Sequence, residues 1–184
     1  CVDDPVDPVS VYGATKAAGE AAALKLPKAF LLRTSWVYGP IGKNFCLTVL
    51  RLHALKAAKE EPLNVVADQI GCPTSTNKLA LACWRLVDLE PEHSPCHLFH
   101  WSDAGVASWY DFAVAIGELA VELGLLKKAA IVKPITTDQY PTMAVRPRNS
   151  LLDCKSTVSI LGIDQQHWRK ALYKVLQHIQ QGLY

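Results

Sequence analysis

No stretch of the sequence holds the roughly 20 consecutive apolar residues that a bilayer-crossing helix needs, and no charged-then-apolar leader is present. The expectation is a soluble, cytoplasmic protein with no membrane partner. Charge of one sign is equally scarce as a block. The 19 Lys and Arg and 17 Asp and Glu are mixed in short groups, which gives no footprint for nucleic acid. The six cysteines, at 1, 46, 72, 83, 96 and 154, form no CxxC pair and no Cys/His spacing of a zinc site. With Cys83 inside the apolar run Leu81-Ala82-Cys83-Trp84, they read as small buried hydrophobes in a reducing compartment, not as a disulfide framework. The ten glycines include no GxGxxG or GxxGxxG arrangement, so a backbone cradle for a pyrophosphate is missing. Methionine occurs once, at 143, and the chain opens at Cys1 in an acidic, proline-punctuated loop ending at Pro8. That opening gives the expectation of a fragment.

What is present suits a folded domain. Half of the residues are apolar, enough to bury a core of ordinary size in one domain or a domain and a half. Residues 10–26, rich in Ala, Lys and Glu, predict a helix capped by Ser10 and broken by Pro27. Residues 29–34 are a short apolar run suited to a buried strand that ends in the loop 35–40. A helix over 45–59, a strand over 63–67, a loop over 68–74 and a helix over 77–89 follow. In that last helix Leu79, Ala82, Cys83 and Leu86 share one face. Residues 97–101 read as a strand, and Ser108 caps a helix reaching Leu123. Residues 130–135 read as a strand and 136–149 as irregular, and two helices, near 155–161 and 166–180, close the chain. Strands alternating with helices place the chain in the α/β class.

One pentapeptide carries chemistry. Tyr12-Gly13-Ala14-Thr15-Lys16 sets a phenol and an ammonium four residues apart on one helical face. An adjacent cation favours the phenolate form, which suits the phenol to general acid chemistry near neutral pH. By itself the pattern is common by chance, as an exposed helix pair. Roughly twenty residues later, at the end of the next strand, stands Arg33-Thr34-Ser35-Trp36-Val37-Tyr38-Gly39. Further on come Gly42-Lys43-Asn44-Phe45, Asp68-Gln69-Ile70-Gly71-Cys72-Pro73-Thr74, Phe99-His100-Trp101-Ser102, Ser108-Trp109-Tyr110-Asp111-Phe112-Ala113, Tyr140-Pro141-Thr142 and Arg146-Pro147-Arg148-Asn149-Ser150-Leu151-Leu152-Asp153. In their joint order these segments resemble the dTDP-4-dehydrorhamnose reductase family of the extended short-chain dehydrogenase/reductase superfamily, over essentially the whole chain.

The resemblance implies the C-terminal part of a Rossmann-like parallel sheet with a small mixed α/β substrate-binding domain. Residues 1–60 would be the remnant of the dinucleotide-binding domain, and 61–184 the substrate-binding region, with some elements packing back. It implies NADPH- or NADH-dependent reduction of dTDP-6-deoxy-L-lyxo-4-hexulose to dTDP-L-rhamnose, with Tyr12 as proton donor and Lys16 as its partner and ribose ligand. Thr34 and Ser35 would lie at the nicotinamide end, and Trp36 against the sugar or base. Arg146 would take the diphosphate, as a forked guanidinium does well. Asn44 reads equally as a polar substrate contact or as a helix cap. Asp68 and Gln69 read as organisers of their own turn. Magnesium accompanies some members, with no ligand assignable here, and a homodimer is compatible with the family. The family's glycine-rich turn and its carbonyl-polarising Ser/Thr have no counterpart in the chain, so these residues alone are expected to be inactive. The rival reading is a non-catalytic binding subunit resembling the β subunit of methionine adenosyltransferase, which shares an Arg-Pro-Arg-Asn segment.

Overall fold

The chain alternates strand and helix throughout the computed structural model, which describes residues 1–94, 96–140, 142 and 146–182. Helix α1 (Val11–Ala23) starts at Ser10, whose hydroxyl accepts from the Gly13 amide. It ends before the expected Leu26, because the Lys25 and Leu26 amides turn to carbonyls three residues back and tighten the final turn ahead of Pro27. Strand β1 (Leu31–Thr34), short strand β2 (Val37–Tyr38), helix α2 (Phe45–Ala58) and strand β3 (Leu63–Val66) follow. The segment expected to be a plain loop at 68–74 instead contains β4 (Ile70–Gly71) and the start of β5 (Thr74–Ser75). Two-residue strands are made by distant partners and leave no periodicity to read.

Helix α3 (Thr76–Val87), β6 (Leu98–Trp101), β7 (Ala107–Ser108), α4 (Trp109–Glu122), β8 (Val132–Ile135), α5 (Lys155–Leu161) and α6 (Trp168–Gln180) complete the order. Ser108 caps α4 in a full capping box with Asp111. Gly162, at φ 60°, ends α5 in the left-handed conformation that glycine adopts without penalty. Among the described residues the strands pair two by two: β1 with β6, β2 with β5 and β3 with β8 in parallel, and β4 with β7 antiparallel.

Two apolar cores result. The larger gathers Val49 of α2, Phe112 and Ile116 of α4, and Leu172 and Leu176 of α6 beneath β3. The smaller packs Ala82 and Leu86 of α3 and Leu161 of α5 on Phe99 and Trp101 of β6, with Leu32 of β1 at its side. Two expectations of burial fail. β1 is half-buried with Thr34 exposed, since β6 is its one strand partner among the described residues. Cys83 is exposed, as is Cys1; Ala82 and Leu86 bury the inner side of α3, and Cys83 falls outside that stripe. All six thiols are free.

Candidate active site

The ends of β1 and α4 meet through two indoles. Trp36, on the turn between β1 and β2, stacks on Trp109 at 3.5 Å between ring centroids and 8° between planes. Its Nε1 donates to Ser150 Oγ at 3.0 Å. Trp36 has φ 50°, a region that costs an L-residue of this size roughly 1–2 kcal/mol. The stack and the Ser150 bond hold it there. Gly71 leaves room for the indole: a Cβ at that position would lie 2.5 Å from the Trp36 ring.

Trp109 in turn lines a cleft of about 400 Å³, together with Phe45, Asn64, Gln69, Tyr140 and Arg146. That volume is within the range of small-molecule sites. Apolar walls with a few polar groups and one guanidinium suit a flat base or sugar attached to an anion. The segment that brings Arg146 is fastened at both ends to the same stretch of chain. At its start, the Thr137 amide and hydroxyl both donate to Asp68 Oδ1, at 2.9 and 2.8 Å, and Gln69 Nε2 donates to Thr137 Oγ1. At its end, the Ile70 amide donates to the Arg148 carbonyl and the Ser150 amide to the Ile70 carbonyl. Asp68 and Gln69 therefore do more than shape their own turn. The hydrogen bonds from Thr137 hold the Asp68 carboxyl below its ordinary range.

The other predicted residues fall in two further places. Tyr12 and Lys16 meet on α1, the ammonium 5.7 Å from the phenol ring centroid. Tyr12 is exposed, and neither residue lines the cleft around Arg146. Thr34 is exposed, whereas the Ser35 hydroxyl is enclosed without a partner among the described residues. Asn44 spends its amide locally: Oδ1 accepts from the Leu47 amide as the cap of α2, and Nδ2 donates to the Gly39 and Ile41 carbonyls. Trp109 and Tyr140 stood within segments read from the sequence but were given no site role there. For Trp109 the one local signal was its place just after the Ser108 cap, at a helix start facing a sheet edge.

Among the described residues no group of three or more His, Cys, Asp or Glu is gathered as a metal site. No helix among the described residues is long and apolar enough to cross a membrane.

Residues 1–181 match the family described as the RmlD substrate binding domain. A dTDP-4-dehydrorhamnose reductase of Aggregatibacter actinomycetemcomitans is 40% identical over 175 residues, covering 94% of this chain and 58% of that protein. The crystal structure of a dTDP-4-dehydrorhamnose reductase from Clostridium acetobutylicum superposes with a TM-score of 0.80 at 35% identity, over 97% of this chain and 59% of that one. A Bacillus anthracis dTDP-4-dehydrorhamnose reductase in complex with NADP gives 0.78 at 31% identity, over 96% and 58%. The chain thus spans little more than half the length of the curated relatives it matches.

Proposed function

Because the chain belongs to the RmlD substrate-binding domain family, we propose that it carries the sugar-nucleotide half of a dTDP-4-dehydrorhamnose reductase, acting on the 4-keto group of dTDP-6-deoxy-L-lyxo-4-hexulose. The observation that carries this reading is the cleft that both Arg146 and Trp109 line, with Trp36 stacked against Trp109. A guanidinium at that point takes a diphosphate by two charge-assisted hydrogen bonds, while an indole takes the flat face of a base or sugar.

The chemistry follows from α1 and the end of β1. NADPH or NADH, when bound, supplies the hydride; Tyr12, Lys16, Thr34 and the Ser35 hydroxyl, which has no partner among the described residues, are the residues of this chain that would hold its nicotinamide end. Tyr12 donates its phenolic proton to the reacting oxygen, and the Lys16 ammonium stabilises the phenolate left behind. In this reading β1, β6, α1, α3 and α5 belong to the dinucleotide-binding layer, of which residues 1–60 are the first part. The larger core and its cleft belong to the substrate-binding region, drawn mostly from 61–184 with Phe45 and Val49 of α2 contributed from the first part.

Binding tests the reading directly. Titration of the chain with dTDP-L-rhamnose should change its tryptophan fluorescence, and Arg146→Ala should weaken that binding by about 10- to 100-fold. No saturable response to the dTDP sugar, together with capture of a methionine adenosyltransferase catalytic subunit, would favour the rival binding-subunit reading. Turnover is a separate matter. With no glycine-rich pyrophosphate cradle in its 184 residues, the chain alone is expected not to oxidise NADPH with the keto sugar. Turnover at the rate of a complete reductase would contradict this.

A further inference from the structure

Tyr12, Lys16 and Glu20 stand at i, i+4 and i+8 of α1, along one side of the helix. Glu20 is where that side is tied down. Arg33 Nε donates to Glu20 Oε2 at 2.7 Å, and Arg33 Nη2 to Glu20 Oε1 at 2.5 Å. Two parallel charge-assisted bonds fix orientation as well as distance. The side chains are 25% and 18% exposed for Arg33 and Glu20, so the pair is partly withdrawn from the solvent that makes surface ion pairs weak.

Behind the fork, Arg33 Nη1 lies 3.2 Å from Nε2 of His100, its register partner on β6. His100 is buried, and its backbone amide donates to Thr157 Oγ1. The guanidinium is therefore set from the sheet side, and the sheet's other face, with Leu32, Phe99 and Trp101, goes to the smaller core. Helix α1 has no such anchorage of its own, since none of its residues is buried. Among the described residues, the Glu20–Arg33 fork is the one side-chain hydrogen bond or ion pair joining α1 to another element. Arg33 also immediately precedes Thr34 and Ser35 in the chain.

We infer that Glu20 and Arg33 are the positioning pair of this site: the fork sets the rotation of α1 on β1, and so presents Tyr12 and Lys16 to Thr34 and Ser35. Its catalytic meaning rests on the reading of Tyr12 and Lys16 given above, whereas its hold on α1 is measurable without any ligand. The fork also carries a pH signature. The Arg33 hydrogen bonds hold the Glu20 carboxyl below its ordinary value, with His100 adding to the positive field. Burial and the neighbouring Arg33 keep the His100 imidazole below its own ordinary value, and the Cys1 ammonium and Asp153 also face it. A carboxylate with a lowered folded value contributes stability that is complete above the ordinary glutamate range and lost as the pH falls below it.

Amide hydrogen exchange on the full chain, read in α1 and in α4, tests the role. In Glu20→Gln, exchange across α1 should speed up by about tenfold or more, the loss expected when a hydrogen bond to a charged group is removed. Exchange in α4 and the melting temperature of the core should stay as in the parent. The acid-induced loss of α1 protection relative to the intrinsic amide exchange rate at each pH, present in the parent below the glutamate range, should vanish in Glu20→Gln. Arg33→Lys, which keeps the charge but not the fork, should be intermediate, and the exchanged pair Glu20→Arg with Arg33→Glu should recover part of the protection. An α1 exchange rate in Glu20→Gln within about twofold of the parent, or loss of α4 protection in parallel, would overturn the role. dTDP-sugar binding should be unchanged in every variant. A parent chain that fails to bind the nucleotide counts against the function proposed above, not against the fork.

Discussion

Phe112→Ala is expected to lower the free energy of unfolding by about 3–5 kcal/mol. Phe112 is wholly enclosed and lies at the centre of an aromatic group that joins α4 to three other elements of the larger core, β2, α2 and α6. Tyr38 meets it edge-on at 5.0 Å, Phe45 lies nearly parallel at 5.5 Å, and Trp168 of α6 stands perpendicular at 6.0 Å. Removing the ring forfeits its transfer free energy and leaves a hole whose walls are themselves rings. Rings change shape less readily than aliphatic chains, so the hole cannot collapse far. For a domain with a total stability of about 5–15 kcal/mol, the loss approaches unfolding. Urea denaturation of parent and variant measures it. A loss below about 1 kcal/mol would show that the core relaxes around the gap, contrary to expectation. Phe112→Leu, which keeps most of the volume, should cost under about 1.5 kcal/mol.

Replacing Asp103 should act in the opposite direction. The Asp103 side chain is buried, one oxygen accepting from the Ser75 amide at 2.9 Å and the other without a hydrogen-bond partner among the described residues. Burial pushes its carboxyl up to about 6 from an ordinary 3.8. A carboxyl raised in the folded state binds its proton more tightly there than in the unfolded chain. Its favourable contribution is complete below pH 3.8 and lost as the pH rises through about 6. The interval corresponds to about 3 kcal/mol. At neutral pH the folded chain therefore holds an ionised carboxylate at a cost that Asp103→Asn removes, while the amide oxygen still accepts from Ser75. The variant is expected to be more stable than the parent at pH 7 by up to about 3 kcal/mol, with the gain shrinking to nothing near pH 4. His53 is lowered by burial and His100 by burial and Arg33, so both favour folding as the pH rises. They are present in parent and variant alike, so the difference between the two pH profiles isolates Asp103. A constant difference across the range would refute the assignment.

Local chemistry was legible in the sequence, and distant pairing was not. Ser10, Ser108 and Gly162 act within one helical turn, and each ends or begins its helix where its own side chain or lack of one dictates. The strands β4, β5 and β7 are two residues long and exist because partners from elsewhere in the chain reach them. A two-residue strand has no alternation to recognise. The same distinction runs through the site. The turn at Trp36 and the arginine at 146 were visible as segments, but that Trp36 would be covered by Trp109, 73 positions later, was not. That Asn44 caps α2 rests on its hydrogen bonds to Gly39, Ile41 and Leu47, which the sequence alone did not show. Glu20 and Arg33 were not read as a pair, because nothing within either segment says that a helix residue and a strand residue 13 positions apart will face each other.

The double fastening of the Arg146 segment to residues 68–70 has a consequence for how such a protein can diversify. Both ends of the span from Thr137 to Arg148 are held by hydrogen bonds to three consecutive residues, Asp68, Gln69 and Ile70. Closing a loop between fixed ends costs entropy that grows only with the logarithm of its length, about 0.6 kcal/mol for each doubling. Residues can be inserted or deleted between the two fastenings without disturbing either core. Variation between the two fastenings would reshape one wall of the cleft while leaving the rest of the molecule intact.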